Sequence, residues 1–288
     1  MLGKLFKHEW KCTWKVGCMM LLGLVLVSFF GWFSFQAPMW RAIADSNHYS
    51  GLSIWDFFSF GTLFVYIIML VGLNYGIIIY MGVRFYRTMY TDEGYLTHTL
   101  PVSKHQILLS KILNSGLWVV LMMIGIGLSV VVLMLSMVGA FMPAGYTWAD
   151  VWKELEPEIG YMNEMFRDIF GMSVSGYFGM MLLLSLLSSF CSIIILFGAI
   201  SIGQLFTKHR VLMAIVSYVG ILVVVNIISS TIQSVFSISQ MARVTSINVL
   251  TGNYMNMTVW LSMAISILEA VLLYFVSYYV TSKKLNME

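Results

Sequence analysis

Charged residues in this chain fall in clusters, and the stretches between the clusters stay apolar for 20 residues or more. Crossing about 30 Å of hydrocarbon takes roughly 20 residues of helix. Six stretches meet that length, at about residues 16–35, 60–83, 116–139, 177–202, 211–230 and 258–280. The first five hold no Asp, Glu, Lys or Arg, and the sixth holds one, Glu269. None alternates polar and apolar with a period of two, so they read as helices and not as barrel strands. The pattern predicts an all-α integral membrane protein of six transmembrane helices, with residues 1–288 forming one transmembrane domain. Composition agrees. Hydrophobic residues make up 59% of the 288, and charged residues 10%, against about 25% in soluble domains. So few charges exclude an ordinary soluble enzyme, a nucleic-acid binder and a disordered chain.

The distribution of Lys and Arg predicts an orientation. With the N-terminus inside, the inner segments carry Lys4, Lys7, Lys11, Lys15, Arg84, Arg87, Lys104, Lys111, Lys208, Arg210, Lys283 and Lys284. The outer segments carry only Arg41, Lys153, Arg167 and Arg243. Positive charge concentrates on the cytoplasmic side of short loops, so both termini are expected there, in a multi-pass protein of the cell's plasma membrane. The first apolar stretch is too long for a signal-peptide core, and no small-x-small step precedes Pro38, so no cleaved leader is expected. Cys12, Cys18 and Cys191 show no metal or redox spacing and read as free thiols.

Between the spans, four segments have a pattern of their own. In residues 1–15, Leu2, Phe6, Trp10 and Trp14 recur every four positions while the four lysines lie on another face. This predicts an N-terminal interfacial amphipathic helix, or more simply a basic leader that sets orientation. In residues 84–111, Thr91 can cap a short helix whose first turn holds Asp92 and Glu93. Pro101 ends that helix. Ser103 and Gln106 form a capping pattern for the helix that enters the third span. In residues 140–176, Thr147 and Asp150 resemble a cap, and two apolar stripes lie on either side of Pro157, which is expected to break them into two helices. Those helices would rest on the outer leaflet or cap the bundle, or else form a lid over an exit path. The last outer loop, Thr231 to Met257, carries only Arg243, and its lack of charge allows a dip back toward the membrane.

Few residues suggest chemistry. The chain contains no GxxxxGK[ST] and no HExxH, so it builds neither a P-loop nor a zinc-protease motif of that kind. Gly171-Met172-Ser173-Val174-Ser175-Gly176 approaches GxSxG but lacks its second glycine, and reads as a small-residue loop entering the fourth span. Gly72 and Gly76 form a GxxxG, a plausible close helix contact. Glu269 stands out, because a carboxylate at mid-membrane is costly unless it is neutral or paired. Thr258, Ser262, Ser266, Glu269 and Ser277 fall near one helical face, which should point to protein or water. That stripe reads as a substrate lining or titrating site, or as a protonated Glu bonded to a neighbouring helix. Asn74 and Asn226 are its candidate partners by depth.

The layout and the first cytoplasmic loop resemble ABC-2 type transporter permeases. Asp92-Glu93-Gly94, then Leu100-Pro101-Val102-Ser103-Lys104, then Lys111 match that family's degenerate loop pattern over about a tenth of the chain. The topological match covers nearly all of it. One departure is the elaborate loop between spans three and four, because the family often places its outer helices between spans five and six. The resemblance implies the membrane-spanning, non-catalytic subunit of an exporter, paired with a second permease subunit as homodimer or heterodimer. Separate ATP-binding cassette subunits would bind below and hold ATP and Mg, with no cofactor in this chain. The loop residues Thr91, Asp92, Glu93, Gly94, Tyr95, Leu96 and His98 would couple to the ATPase. Arg84 and Arg87 would hold the loop against the spans. The implied cargo is amphipathic or lipid-like: a peptide, a lipid-linked molecule or a drug. The residues themselves leave open a secondary transporter or an intramembrane enzyme that uses Glu269.

Overall fold

The computed structural model describes residues 2–37, 40, 54–99, 101–142, 145–206, 208–241 and 247–283. Over these residues the chain is built from eight helices: α1 (Leu2–Ser34), α2 (Ile54–Tyr90), α3 (Asp92–His98), α4 (Lys104–Phe141), α5 (Trp148–Phe170), α6 (Val174–Gly203), α7 (Arg210–Met241) and α8 (Ile247–Lys283). Six of them, α1, α2, α4, α6, α7 and α8, are long and apolar enough to cross a membrane, and one of the six predicted spans falls in each. The helices outrun the bilayer. At 1.5 Å per residue the 37 residues of α2 reach about 55 Å, well past the hydrocarbon thickness.

Three expectations change. Residues 2–15 do not form a separate interfacial helix; they are the opening turns of α1, which runs unbroken to Ser34. Nothing at Lys15 or Val16 interrupts the backbone, and the aromatic face has a protein partner. Trp10 stacks on Trp118 of α4 at 4.7 Å, while Lys4, Lys7, Lys11 and Lys15 stay exposed. Pro157 does not divide α5. It lies about 180° round the helix from Trp148, on the polar side. The carbonyl it leaves unbonded at Lys153 is on an exposed residue that water can reach. Most of the last loop is also helix: α7 continues to Met241 and α8 starts at Ile247, with residues 242–246 outside the described residues.

The chain divides into two compact units. One comprises Phe6–Met81 and Leu117–Glu154. In it, Trp118 lies flat against Gly17, where an added Cβ would come within 2.3 Å of the indole, and its Nε1 donates to Thr13 Oγ1 at 2.9 Å. Gly31 and Gly125 admit Tyr66 and Leu24 in the same way. Hydroxyls then join the helices: Ser28 donates to Ser129 (2.7 Å), and Ser136 donates to the Trp32 carbonyl (3.0 Å). Small residues and short polar links are what bind helices in lipid, where side-chain apolarity gives no preference for protein over acyl chain. Gly72 and Gly76 make no such contact: the former has nothing within 4 Å, and the latter only the tip of Met20.

The other unit comprises Met1–Leu5, Gly82–Gly116 and Leu155–Glu288. There α6 packs on both α7 and α8. Gly203 lies against the Ala214 backbone, Gly198 against Leu273, and Gly116 against Phe190. Phe85 and Phe197 stack at 3.8 Å, both essentially buried.

Gly17→Ala should cost about 1–3 kcal/mol through overpacking against Trp118. Gly127→Ala has open space around the new methyl, so it should be neutral or slightly stabilising through helix propensity. Thermal unfolding in detergent, followed by tryptophan fluorescence, separates the two; equal shifts would refute the Gly17 contact.

Candidate functional site

The segment from Arg84 to Lys111 forms a short helix held between two long ones. α2 ends at Tyr90, Thr91 is extended (φ −109°, ψ −169°), and α3 begins at Asp92. Thr91 occupies the N-cap position, but its hydroxyl turns back and donates to the Arg87 carbonyl at 2.6 Å instead of capping α3. The cap is supplied by backbone, with Gly94 N–H donating to the Thr91 carbonyl at 2.7 Å, and by Asp92 and Glu93 at the positive end of the helix.

Gly94 sets the closeness of the turn. A Cβ there would lie 2.7 Å from the Met89 carbonyl carbon and oxygen, which are main-chain atoms that cannot step aside. Gly94 is buried, whereas Asp92 and Glu93 are exposed and Tyr95 and Leu96 are 61% and 70% exposed. The helix therefore presents two acids, a phenol and a leucine on one small outward surface. Arg84 is half-buried and Arg87 exposed; the His98 side chain and Leu100 lie outside the described residues. Beyond Pro101, Ser103 caps α4 by accepting from the Gln106 N–H (3.4 Å).

The base beneath this helix is polar and interlocked. The Lys111 ammonium, 4% exposed, donates to Thr88 Oγ1 (2.8 Å), and Thr88 in turn donates to the Arg84 carbonyl (2.9 Å). Tyr90 bonds Ser201 of α6 (2.8 Å). Lys104 donates to the Thr281 carbonyl in the last turns of α8 (2.9 Å), where a cation complements the helix dipole. His105 bonds Tyr274 of α8. Thus hydrogen bonds tie α2 to α4 and to α6, and α4 to α8, linking four spanning helices beside α3. Sequence reasoning named Lys104 and Lys111 as topology markers and as part of the loop pattern, without partners, and missed Thr88, Tyr90, Ser201, Tyr274 and Thr281. The available signal was hydroxyl residues at the same ends of the spans as the lysines.

The intramembrane stripe is only partly assembled. Glu269 and Ser277 are buried, Ser266 is half-buried, and Ser262 is exposed. Ser262 and Ser266 bond back to their own helix, at the Val259 carbonyl and at the Ser262 carbonyl. Among the described residues, Glu269 Oε1 and Ser277 Oγ have no hydrogen-bond partner. Asn226 is not the partner: it is exposed and donates to the Leu222 carbonyl (2.7 Å). Next to Glu269, Ala270 and Tyr274 line an apolar groove of about 420 Å³ with Cys191 and Phe190.

The GxSxG-like segment is a helix start. Ser173 caps α6 by accepting from the Gly176 N–H (3.3 Å), and Asn163 Oδ1 takes the Val174 N–H (3.1 Å). Among the described residues, no three His, Cys, Asp or Glu side chains come together as a metal site.

These features define an all-helical, multi-pass membrane protein. Comparison with known proteins gave no match to a family model, to a curated protein or to a solved structure.

Gly94→Ala should lift α3 from the end of α2. Limited proteolysis in detergent should then cut between Thr91 and Lys104 several-fold faster, with the helical circular dichroism unchanged. An unaltered cleavage rate would show that the close approach does not hold the helix.

Proposed function

We propose that this chain is the membrane-spanning subunit of an ABC exporter, driven by ATP bound and hydrolysed on separate ATPase subunits. The observation that carries the reading is α3: a seven-residue helix with an acidic first turn and exposed Tyr95 and Leu96. Gly94 holds it tightly against α2, and it sits beside a bonded base that joins four spanning helices. A surface of that kind suits the receipt of a mechanical signal. ATP-driven closure of a docked ATPase would push on α3, and the links through Thr88–Lys111, Tyr90–Ser201 and Lys104–Thr281 would pass the motion to the spans. Such coupling requires two nearly balanced arrangements, biased by the ATPase. In this reading both termini and α3 are cytoplasmic, in a bacterial plasma membrane, and a second permease subunit completes the route. The cargo is amphipathic or lipid-like.

The buried Glu269, with Oε1 unsatisfied, supports a second reading: a secondary transporter or intramembrane enzyme in which that carboxyl titrates or reacts.

Two measurements separate the readings. The chain should copurify with an ATPase encoded beside it, and Glu93→Arg should weaken that complex and its coupled ATPase activity while the permease itself stays folded. A chain that binds no ATPase, or a Glu93→Arg complex of undiminished strength, would count against the exporter and the docking site respectively. Glu269→Gln should leave ATP-driven transport largely intact in the exporter reading. Loss of transport with normal assembly would favour the titrating carboxyl.

A further inference from the structure

Where α4 ends and α5 begins, an apolar groove of about 540 Å³ opens within a single unit of the fold. Its walls are Met134, Met137, Val138 and Phe141 of α4, Met142, and Val151 of α5; its rim is Tyr146 and Glu154. Three of those wall residues are methionines, whose unbranched thioether chains mould to irregular apolar shapes. The wall offers no side-chain hydrogen-bond donor. The polar groups are at the rim, where the Tyr146 hydroxyl donates to Glu154 Oε1 at 3.0 Å and the Glu154 carboxylate raises the phenol above its ordinary value.

Two facts place this groove at a lipid boundary. Met134 and Met137 are 61% and 48% exposed, on a helix apolar enough to span the bilayer, which in that setting turns them to acyl chain. The second fact is α5 itself, none of whose residues is buried. Its apolar side, marked by Trp148, Trp152, Leu155, Ile159 and Met162, recurs every three or four positions, and all five are exposed. Short connectors, residues 142–147 and 171–173, tie both its ends to spanning helices. A helix so tethered and so divided lies in the membrane interface with its apolar side down. The polar side is acidic: Asp150, Glu154, Glu156, Glu158, Glu164 and Asp168 against Lys153 and Arg167.

We propose that this groove holds one acyl chain of an ammonium-bearing phospholipid from the surrounding bilayer, with the headgroup cation at the Glu154 carboxylate. The groove has the size of a ligand site and the polarity of a hydrocarbon chain, and among the described residues its one charged lining group, Glu154, attracts a cation. An anionic headgroup would meet repulsion there from Glu154 and from Asp150, which Thr147 keeps ionised below the ordinary aspartate range by donating to it at 2.7 Å.

The test uses the full chain in vesicles of phosphatidylethanolamine and phosphatidylglycerol, with a trace of either lipid carrying a photoreactive acyl chain. Adducts are mapped by mass spectrometry. Labelling should concentrate on Met137 and Phe141, and more from the ethanolamine lipid than from the glycerol lipid. Val138→Trp, on the exposed side of α4, should fill the groove and reduce those adducts several-fold while labelling at Phe178 stays constant. Glu154→Gln keeps an acceptor for Tyr146 but removes the charge, and should erase a headgroup preference of about threefold, the size of an exposed ion pair. Labelling spread evenly over lipid-facing residues and indifferent to Val138→Trp would overturn the site. A headgroup preference that survives Glu154→Gln would overturn the role of the carboxylate.

Discussion

Within hydrocarbon, a leucine gains nothing by leaving lipid for protein, so helices associate only where their backbones can come close or their hydroxyls can pair. That constraint explains which residues organise this chain. The contacts that join its helices are centred on Gly17 under Trp118, Gly31 under Tyr66, Gly116 under Phe190, Gly198 under Leu273 and Gly203 against the Ala214 backbone. The many exposed Leu, Ile, Val and Phe residues along the spans are the expected lipid-facing surface and hold nothing together. Serine pairs such as Ser28 with Ser129 add direction to contacts that packing alone would leave free to rotate.

The same constraint separates the two kinds of polar residue in the long helices. Ser262 and Asn226 satisfy themselves on carbonyls of their own helix, which leaves them compatible with lipid. Lys111, Lys104 and Tyr90 instead reach across to neighbouring helices, and they do so near one another, beside α3. Polar links of this type are directional and break together, so the helices they join are expected to respond as a set. Glu269 belongs to neither kind: it is buried on the face that packs on α6, with one oxygen left unsatisfied.

How much of this could be read from the sequence depends on the range of the interaction. The six spanning helices were legible because their apolar runs are local and uninterrupted. So were α3, Pro101 and the Ser103 cap, because capping and helix stops act over three or four residues. Pro157 misled for a physical reason. A proline in a helix is costly when the freed carbonyl is buried; the helical angle from Trp148 puts Pro157 on the polar side, but only the packing shows that the carbonyl of Lys153 stays open. The N-terminal segment misled because its apolar stripe has the same spacing whether it meets lipid or an indole 100 residues away. The base beside α3 was illegible for the same reason: Tyr90 and Ser201, or Lys104 and Thr281, are joined only by the packing of helices far apart in the chain.

The methionine wall between α4 and α5 brings a chemical exposure of its own. Thioethers are the most readily oxidised side chains after thiols, and a sulfoxide is a polar, chiral group where a pliant apolar one had been. Met134, the most open of the three, is 61% exposed on a helix apolar enough to span a membrane, and lipid peroxides form in membranes. Oxidation there would place a strong acceptor inside a groove whose wall offers no donor to meet it. The surface proposed to hold hydrocarbon is thus also one whose chemistry a peroxidised membrane would alter.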